Sequence, residues 1–165
     1  LKTLLDVKKH KSNFVAVLVS PNLNYLKKLA RFNFDFFQLY NVSPKKTLII
    51  KKKFKKKIIS VIQVSKMSDV YKYKKYINIA DIILFDSKGY EKSVGFNHSF
   101  LSNVPKIIKT MIAGNIKYNQ NLDNFEKISD IIDISGSLET RKKTDIKKIN
   151  IFLKKINKVN KENEN

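Results

Sequence analysis

The sequence predicts an α/β fold in which six parallel strands alternate with helices, and three observations carry that prediction. Apolar, β-branched runs recur at residues 14–19, 35–39, 58–64, 81–85, 110–113 and 130–134, their starts 21, 23, 23, 29 and 20 residues apart. The stretches between them have helical period or helix-start signals, which makes a repeated strand-then-helix unit the economical reading. All four glycines, Gly89, Gly95, Gly114 and Gly136, fall just beyond the C-terminal end of a predicted strand. In α/β proteins that end is where ligands bind.

After the first strand, Ser20-Pro21 reads as an N-cap with proline at the first helical position. Leu23, Leu26, Leu29 and Ala30 then make one apolar stripe, with Lys27 and Lys28 turned to water. Ser43-Pro44 repeats the start signal after the second strand, and the lysine run of residues 51–57, broken only by Phe54, reads as the solvated end of an outer helix. The fifth and sixth strands end in Ala113-Gly114-Asn115 and Ser135-Gly136-Ser137, short turns that each lead into a segment with helical character. Backbone N–H groups there are free to point at an anion, so the two turns form a candidate phosphate cradle. Ile146, Ile149, Phe152, Leu153 and Ile156 recur at helical spacing and predict a last helix over 145–156. Residues 157–165 are expected as a polar, frayed tail, and 1–156 as one partial barrel domain.

Strands that are apolar on both faces and separated by helices imply a parallel sheet with right-handed crossovers. Six units do not close the common eightfold barrel. The choice lies between an open doubly wound sheet and a (β/α)8 TIM barrel lacking its first two βα units. Two observations favour the barrel: the chain begins at Leu1 rather than methionine, and residues 1–9 read as the tail of a helix, with Leu1, Leu4, Leu5 and Lys8 at helical spacing.

Composition narrows the functional classes. With no cysteine there is no disulfide framework, thiolate nucleophile or cysteine-bound zinc, and His10 and His98 alone do not make a metal site, so no metal is expected. A reducing, cytoplasmic setting is the expectation, with no membrane association, since no apolar run reaches the roughly 18 residues of a span. A net charge of +20 raises the case for nucleic acid as a partner. Arg31 and Arg141 are the only arginines, however, and the Lys, Asn and Ile excess is that of an AT-rich genome, so a solvated surface is the favoured reading.

Several segments then match, in order, the pattern of phosphoribosylanthranilate isomerases. Residues 15–21, VAVLVSP, resemble that family's third strand. Asp35-Phe36-Phe37-Gln38-Leu39-Tyr40 resembles the fourth, V-Q-L-H-G, with Tyr40 and Asn41 replacing His and Gly. Asp81-Ile82-Ile83-Leu84-Phe85-Asp86-Ser87 is similar to the sixth strand ending L-L-D-S, and Phe96-Asn97-His98 follows where the family has F-D-W. Ile112-Ala113-Gly114-Asn115-Ile116 stands for L-A-G-G-L, and Asp133-Ile134-Ser135-Gly136-Ser137-Leu138-Glu139 for D-V-S-S-G-V-E. Thr144-Asp145-Ile146-Lys147-Lys148-Ile149 fits the G-x-K-D-x-x-K-I region that opens the last helix.

The resemblance implies a cofactor-free Amadori rearrangement of N-(5-phosphoribosyl)anthranilate, a step of tryptophan biosynthesis, in a monomer or homodimer. Asp86 matches the family's general acid, a role that needs a raised pKa and partial burial beside the anthranilate ring. Gly114, Asn115, Ser135, Gly136 and Ser137 match the phosphate site; Gln38 and Asp133 are candidate substrate contacts. The G-G-x-G loop of the family appears as Tyr90-Glu91-Lys92-Ser93, between Gly89 and Gly95. The family's general base is a cysteine in its first strand, K-I-C-G-L, and no residue of this chain matches it; that strand is expected within roughly 50 residues upstream. Without it the fragment is expected to be inactive and poorly stable. The competing readings are another phosphosugar-binding barrel enzyme and a lysine-rich nucleic-acid-binding α/β module.

Overall fold

The computed structural model describes residues 12–89 and 95–163. The helix tail expected at 1–9, His10 and the loop 90–93 lie outside the described residues. The elements are β1 (Val15–Val19), α1 (Leu23–Leu29), β2 (Phe36–Tyr40), α2 (Pro44–Phe54), β3 (Lys57–Val64), α3 (Met67–Val70) with a 3-10 turn (Tyr71–Tyr76), and β4 (Ile82–Ser87). A 3-10 helix (His98–Asn103), β5 (Thr110–Ile112), β6 (Ile131–Ile132), a 3-10 turn (Gly136–Leu138), β7 (Glu139–Thr140), β8 (Lys143–Thr144) and α4 (Ile146–Asn163) follow.

All six expected strands are present, and they form one sheet in the order β1-β2-β3-β4-β5-β6, with β1/β2, β2/β3 and β5/β6 paired in parallel. Each strand lies beside its predecessor and the order never reverses. A doubly wound sheet changes direction at a switch point, so this order is the singly wound one that barrels use.

By packing, the chain divides into two compact units. The first holds the residues up to Ile62 together with Tyr71–Leu84. Its core joins Ala16 and Leu18 of β1, Leu26 and Leu29 of α1, Phe37 and Leu39 of β2, Ile50 of α2 and Ile58 of β3. Phe37 meets Phe54 edge-on at 6.3 Å. Ser43 caps α2, its hydroxyl accepting from the Lys46 N–H, and Pro44 occupies the first turn as expected. The start signal at Ser20-Pro21 is displaced: Asn22 is the N-cap of α1, its side chain accepting from the Tyr25 N–H. Ser20 instead takes φ 44° and donates its N–H to the Tyr40 carbonyl, which prolongs sheet pairing beyond β1.

The second unit holds Gln63–Val70 and the residues from Phe85 onward. Phe85, Leu101, Ile112 and Phe125 are buried in it. The expected helix after the fifth strand is absent; turns occupy 118–128, and α4 is laced to them by the Lys155 ammonium, which donates to the carbonyls of Asn119 and Gln120. Downstream, β7 and β8 pair as a hairpin through Arg141 and Lys142, both at positive φ, the primed geometry that matches strand twist. Asp145 caps α4, accepting from the Lys147 and Lys148 N–H groups and the Thr140 hydroxyl, and these hydrogen bonds hold its carboxyl below the ordinary range. The helix runs on to Asn163 through the stretch expected to fray, because Val159 continues the apolar stripe of Phe152 and Ile156.

One device recurs at the starts of the strands. Asp35, Asp81 and Asp130 each precede an even-numbered strand, and each exchanges two hydrogen bonds with a residue at, or one position from, the start of the strand before. The carboxylate accepts from the N–H of Phe14 (2.6 Å), Ile58 (2.7 Å) and Thr110 (2.7 Å). The aspartate N–H returns a bond to the carbonyl of the same residue in every case.

Candidate functional site

The second unit carries all but one of the expected site residues. They sit at the C-terminal ends of three neighbouring strands. Asp86 is the penultimate residue of β4, half-buried, and its carboxylate accepts from the Ser87 N–H at 2.7 Å. Asp133 directly follows β6 and is held there by its own N–H, which donates to the Ile112 carbonyl at 2.8 Å. Burial pushes the Asp133 carboxyl above its ordinary value, and the charge of Asp86 adds to that rise. The two carboxylates are therefore electrostatically coupled, and Asp133 holds its proton to higher pH than a solvated aspartate does.

Both turns lie where expected. Gly114 has φ 92°, and a Cβ there would sit 3.1 to 3.3 Å from the backbone N, Cβ and Oγ of Ser87. Only glycine tolerates both that backbone and that approach. Asn115 follows at φ 57°, the left-handed region that Asn enters more readily than other side chains. Its Oδ1 accepts from the Lys117 ammonium at 2.6 Å. Past β6, Ser135 leads into the 3-10 turn whose first residues, Gly136 and Ser137, have N–H groups without helical partners. A Cβ on Gly136 would meet nothing within 4 Å, so that glycine leaves room beside the turn rather than permitting its backbone. The Ser137 hydroxyl accepts from the Tyr118 N–H at 2.8 Å and ties this turn to the segment after β5.

Gln38 belongs to the first unit, where it is buried and donates weakly to the Tyr40 hydroxyl at 3.4 Å. Among the described residues no group of three His, Cys, Asp or Glu side chains could hold a metal ion, and no helix is long and apolar enough to cross a membrane.

His98 is not among the site residues expected from the sequence. It is half-buried at the head of its 3-10 helix, and its Nε2 lies 3.2 Å from the carbonyl oxygens of both Ala113 and Gly114. Phe96 meets the ring edge-on at 4.8 Å and Phe125 lies tilted against it at 5.2 Å. A shallow hollow of about 380 Å³ adjoins it, lined in part by Gly114, Asn115 and Gln120. Only the short Phe-Asn-His segment signals it in sequence.

Residues 2–155 match the family model described as N-(5'phosphoribosyl)anthranilate (PRA) isomerase. A Rhizobium etli protein named N-(5'-phosphoribosyl)anthranilate isomerase is 31% identical over 147 residues, covering 83% of this chain and 66% of that one. The chain thus spans about two thirds of the length of the first curated relatives it matches. Among solved structures, a phosphoribosyl anthranilate isomerase in complex with reduced 1-(o-carboxyphenylamino)-1-deoxyribulose 5-phosphate aligns with TM-score 0.80 at 16% identity, over 95% of this chain and 77% of that one. The Thermotoga maritima phosphoribosyl anthranilate isomerase aligns with TM-score 0.76 at 18% identity, over 89% and 74%. At those identities the structural likeness establishes the fold.

Proposed function

The chain belongs to the N-(5'-phosphoribosyl)anthranilate isomerase family, and on that premise we propose that its site serves the Amadori rearrangement of N-(5-phosphoribosyl)anthranilate in tryptophan biosynthesis. One observation carries the reading: a carboxylate pair and two N–H-rich turns stand together at the C-terminal ends of β4, β5 and β6. The turns Gly114-Asn115 and Ser135-Gly136-Ser137 take the phosphate. Asp86 protonates the ribose ring oxygen, opening the sugar to an iminium; loss of the C2 proton then gives an enolamine, which tautomerises to the ketone. Asp133, whose carboxyl feels the charge of Asp86, is a candidate contact for the opened sugar, and Gln38 is a further one. The chemistry is proton transfer alone and calls for no cofactor, and the setting is cytoplasmic.

The base that removes the C2 proton has no match in this chain, which contains no cysteine. We assign its six strands to the third to eighth of a (β/α)8 barrel, so the base belongs to the first. By itself the chain is therefore expected to give no turnover. The test joins the first two βα units of the Rhizobium etli relative to this chain. The joined protein is expected to bind reduced 1-(o-carboxyphenylamino)-1-deoxyribulose 5-phosphate and to turn over substrate. D86N should retain the analogue and lower kcat by about a hundredfold to ten-thousandfold, the usual worth of a general acid. A folded joined protein that ignores the analogue would sink the assignment.

A further inference from the structure

We propose that His98 is a positioning residue of the phosphate site, holding the Ala113 and Gly114 carbonyls so that the next two backbone N–H groups face the anion. The proposal rests on the phosphate site described above and assigns it a side chain that lies outside both turns. Its Nε2 is 3.2 Å from each of the two carbonyl oxygens. Carbonyl oxygens only accept, so Nε2 carries a hydrogen and shares it between them. Burial pushes the imidazole below its ordinary value, an effect the two carbonyls oppose, and the ring is neutral at pH 7.

The consequence follows from peptide geometry. In a planar trans peptide the C=O and N–H point in opposite directions. The Ala113 carbonyl shares a peptide with the Gly114 N–H, and the Gly114 carbonyl shares one with the Asn115 N–H. One imidazole that gathers both carbonyls to its side thereby turns both N–H groups to the other side. Those are the two donors assigned to phosphate after β5, and the φ values of 92° and 57° show the uncommon backbone that must be held. The ring itself has little freedom, being lodged between Phe96 and Phe125.

The test is a titration of this chain with inorganic phosphate, followed through the backbone amide NMR signals of Gly114 and Asn115. H98F keeps a ring between Phe96 and Phe125 but has no N–H to donate; H98Q offers an amide N–H at nearly the reach of Nε2. H98F is expected to raise the Kd about tenfold or more, and H98Q to stay within about threefold of the wild type. Wild-type affinity in H98F, or equal losses in H98F and H98Q, would overturn the positioning role while leaving the phosphate site standing. No phosphate response at Gly114 and Asn115 in the wild-type chain would overturn the site itself and this role with it. Should H98F fail to fold, H98N takes its place, since its shorter amide does not reach the two carbonyls.

Discussion

Asn41 and Asn115, which the sequence resemblance sets opposite glycines, both have left-handed backbones, at φ 54° and 57°. Asn is the side chain that enters that region most readily after glycine. Asp133 carries a different kind of information. Its folded pKa lies above the unfolded value of 3.8, through burial first and the Asp86 charge second. A raised folded value means that the fold binds the proton more tightly, so the contribution to stability is full below pH 3.8 and is lost as pH rises through the folded pKa. D133N removes the ionised form and is expected to melt higher than the wild type at pH 7, with the gap closing as pH falls toward 3.8. Thermal melts across that range check it, and a gap that does not change with pH would refute it. The sequence marks Asp86 and the glycines by their places at strand ends. It gives no local sign of the Asp86–Asp133 coupling or of the carbonyls that His98 meets, because those depend on contacts between residues 47 and 15 or 16 positions apart.

At the scale of elements, period and spacing located all six strands to within about two residues, since apolar β-branched runs between turns have few other folds open to them. Helix starts were less legible. Ser20-Pro21 and Ser43-Pro44 are the same signal locally, yet only the second caps a helix, because Ser20 is drawn into sheet pairing with Tyr40. The aspartate that opens every second strand was visible as a residue but not as a clamp. Its partner lies 20 to 23 residues earlier, at the start of the preceding strand. In the central clamp, Asp81 satisfies the N–H of the fully buried Ile58 and also meets the Lys51 ammonium at 2.9 Å. The two contacts differ in worth. D81A leaves a buried N–H unpaired and is expected to cost about 1–3 kcal/mol, whereas K51A removes only a part-exposed ion pair and should cost under about 1 kcal/mol. Denaturant unfolding of the two variants separates them, and equal losses would show that the ion pair, not the N–H, is what Asp81 serves.

Across the whole molecule, sheet order decided what periodicity could not, because strand spacing is the same in a doubly wound sheet and in a barrel. It also sets the environment of β1, which stands at one end of the order. Ala16 and Leu18 on one face of β1 are buried, while Val15, Val17 and Val19 on the other are 36%, 60% and 53% exposed. An apolar strand with one bare face is unusual in a parallel sheet, whose strands are normally covered on both sides. In a completed (β/α)8 barrel that face turns inward and is packed by layers of side chains from alternate strands. The bare face therefore predicts a stability effect that depends on context. V17T should change the stability of this chain by no more than about 0.5 kcal/mol, as at an exposed position. In the protein joined to the two βα units of the Rhizobium etli relative, the same change puts a hydroxyl into a filled interior and should cost about 1–3 kcal/mol. Denaturant unfolding of the four proteins measures the difference, and the joined protein should also melt higher, having paired the open strand edges. If V17T costs the same in both settings, β1 does not face a barrel interior and the assignment of the six strands to positions three to eight is wrong.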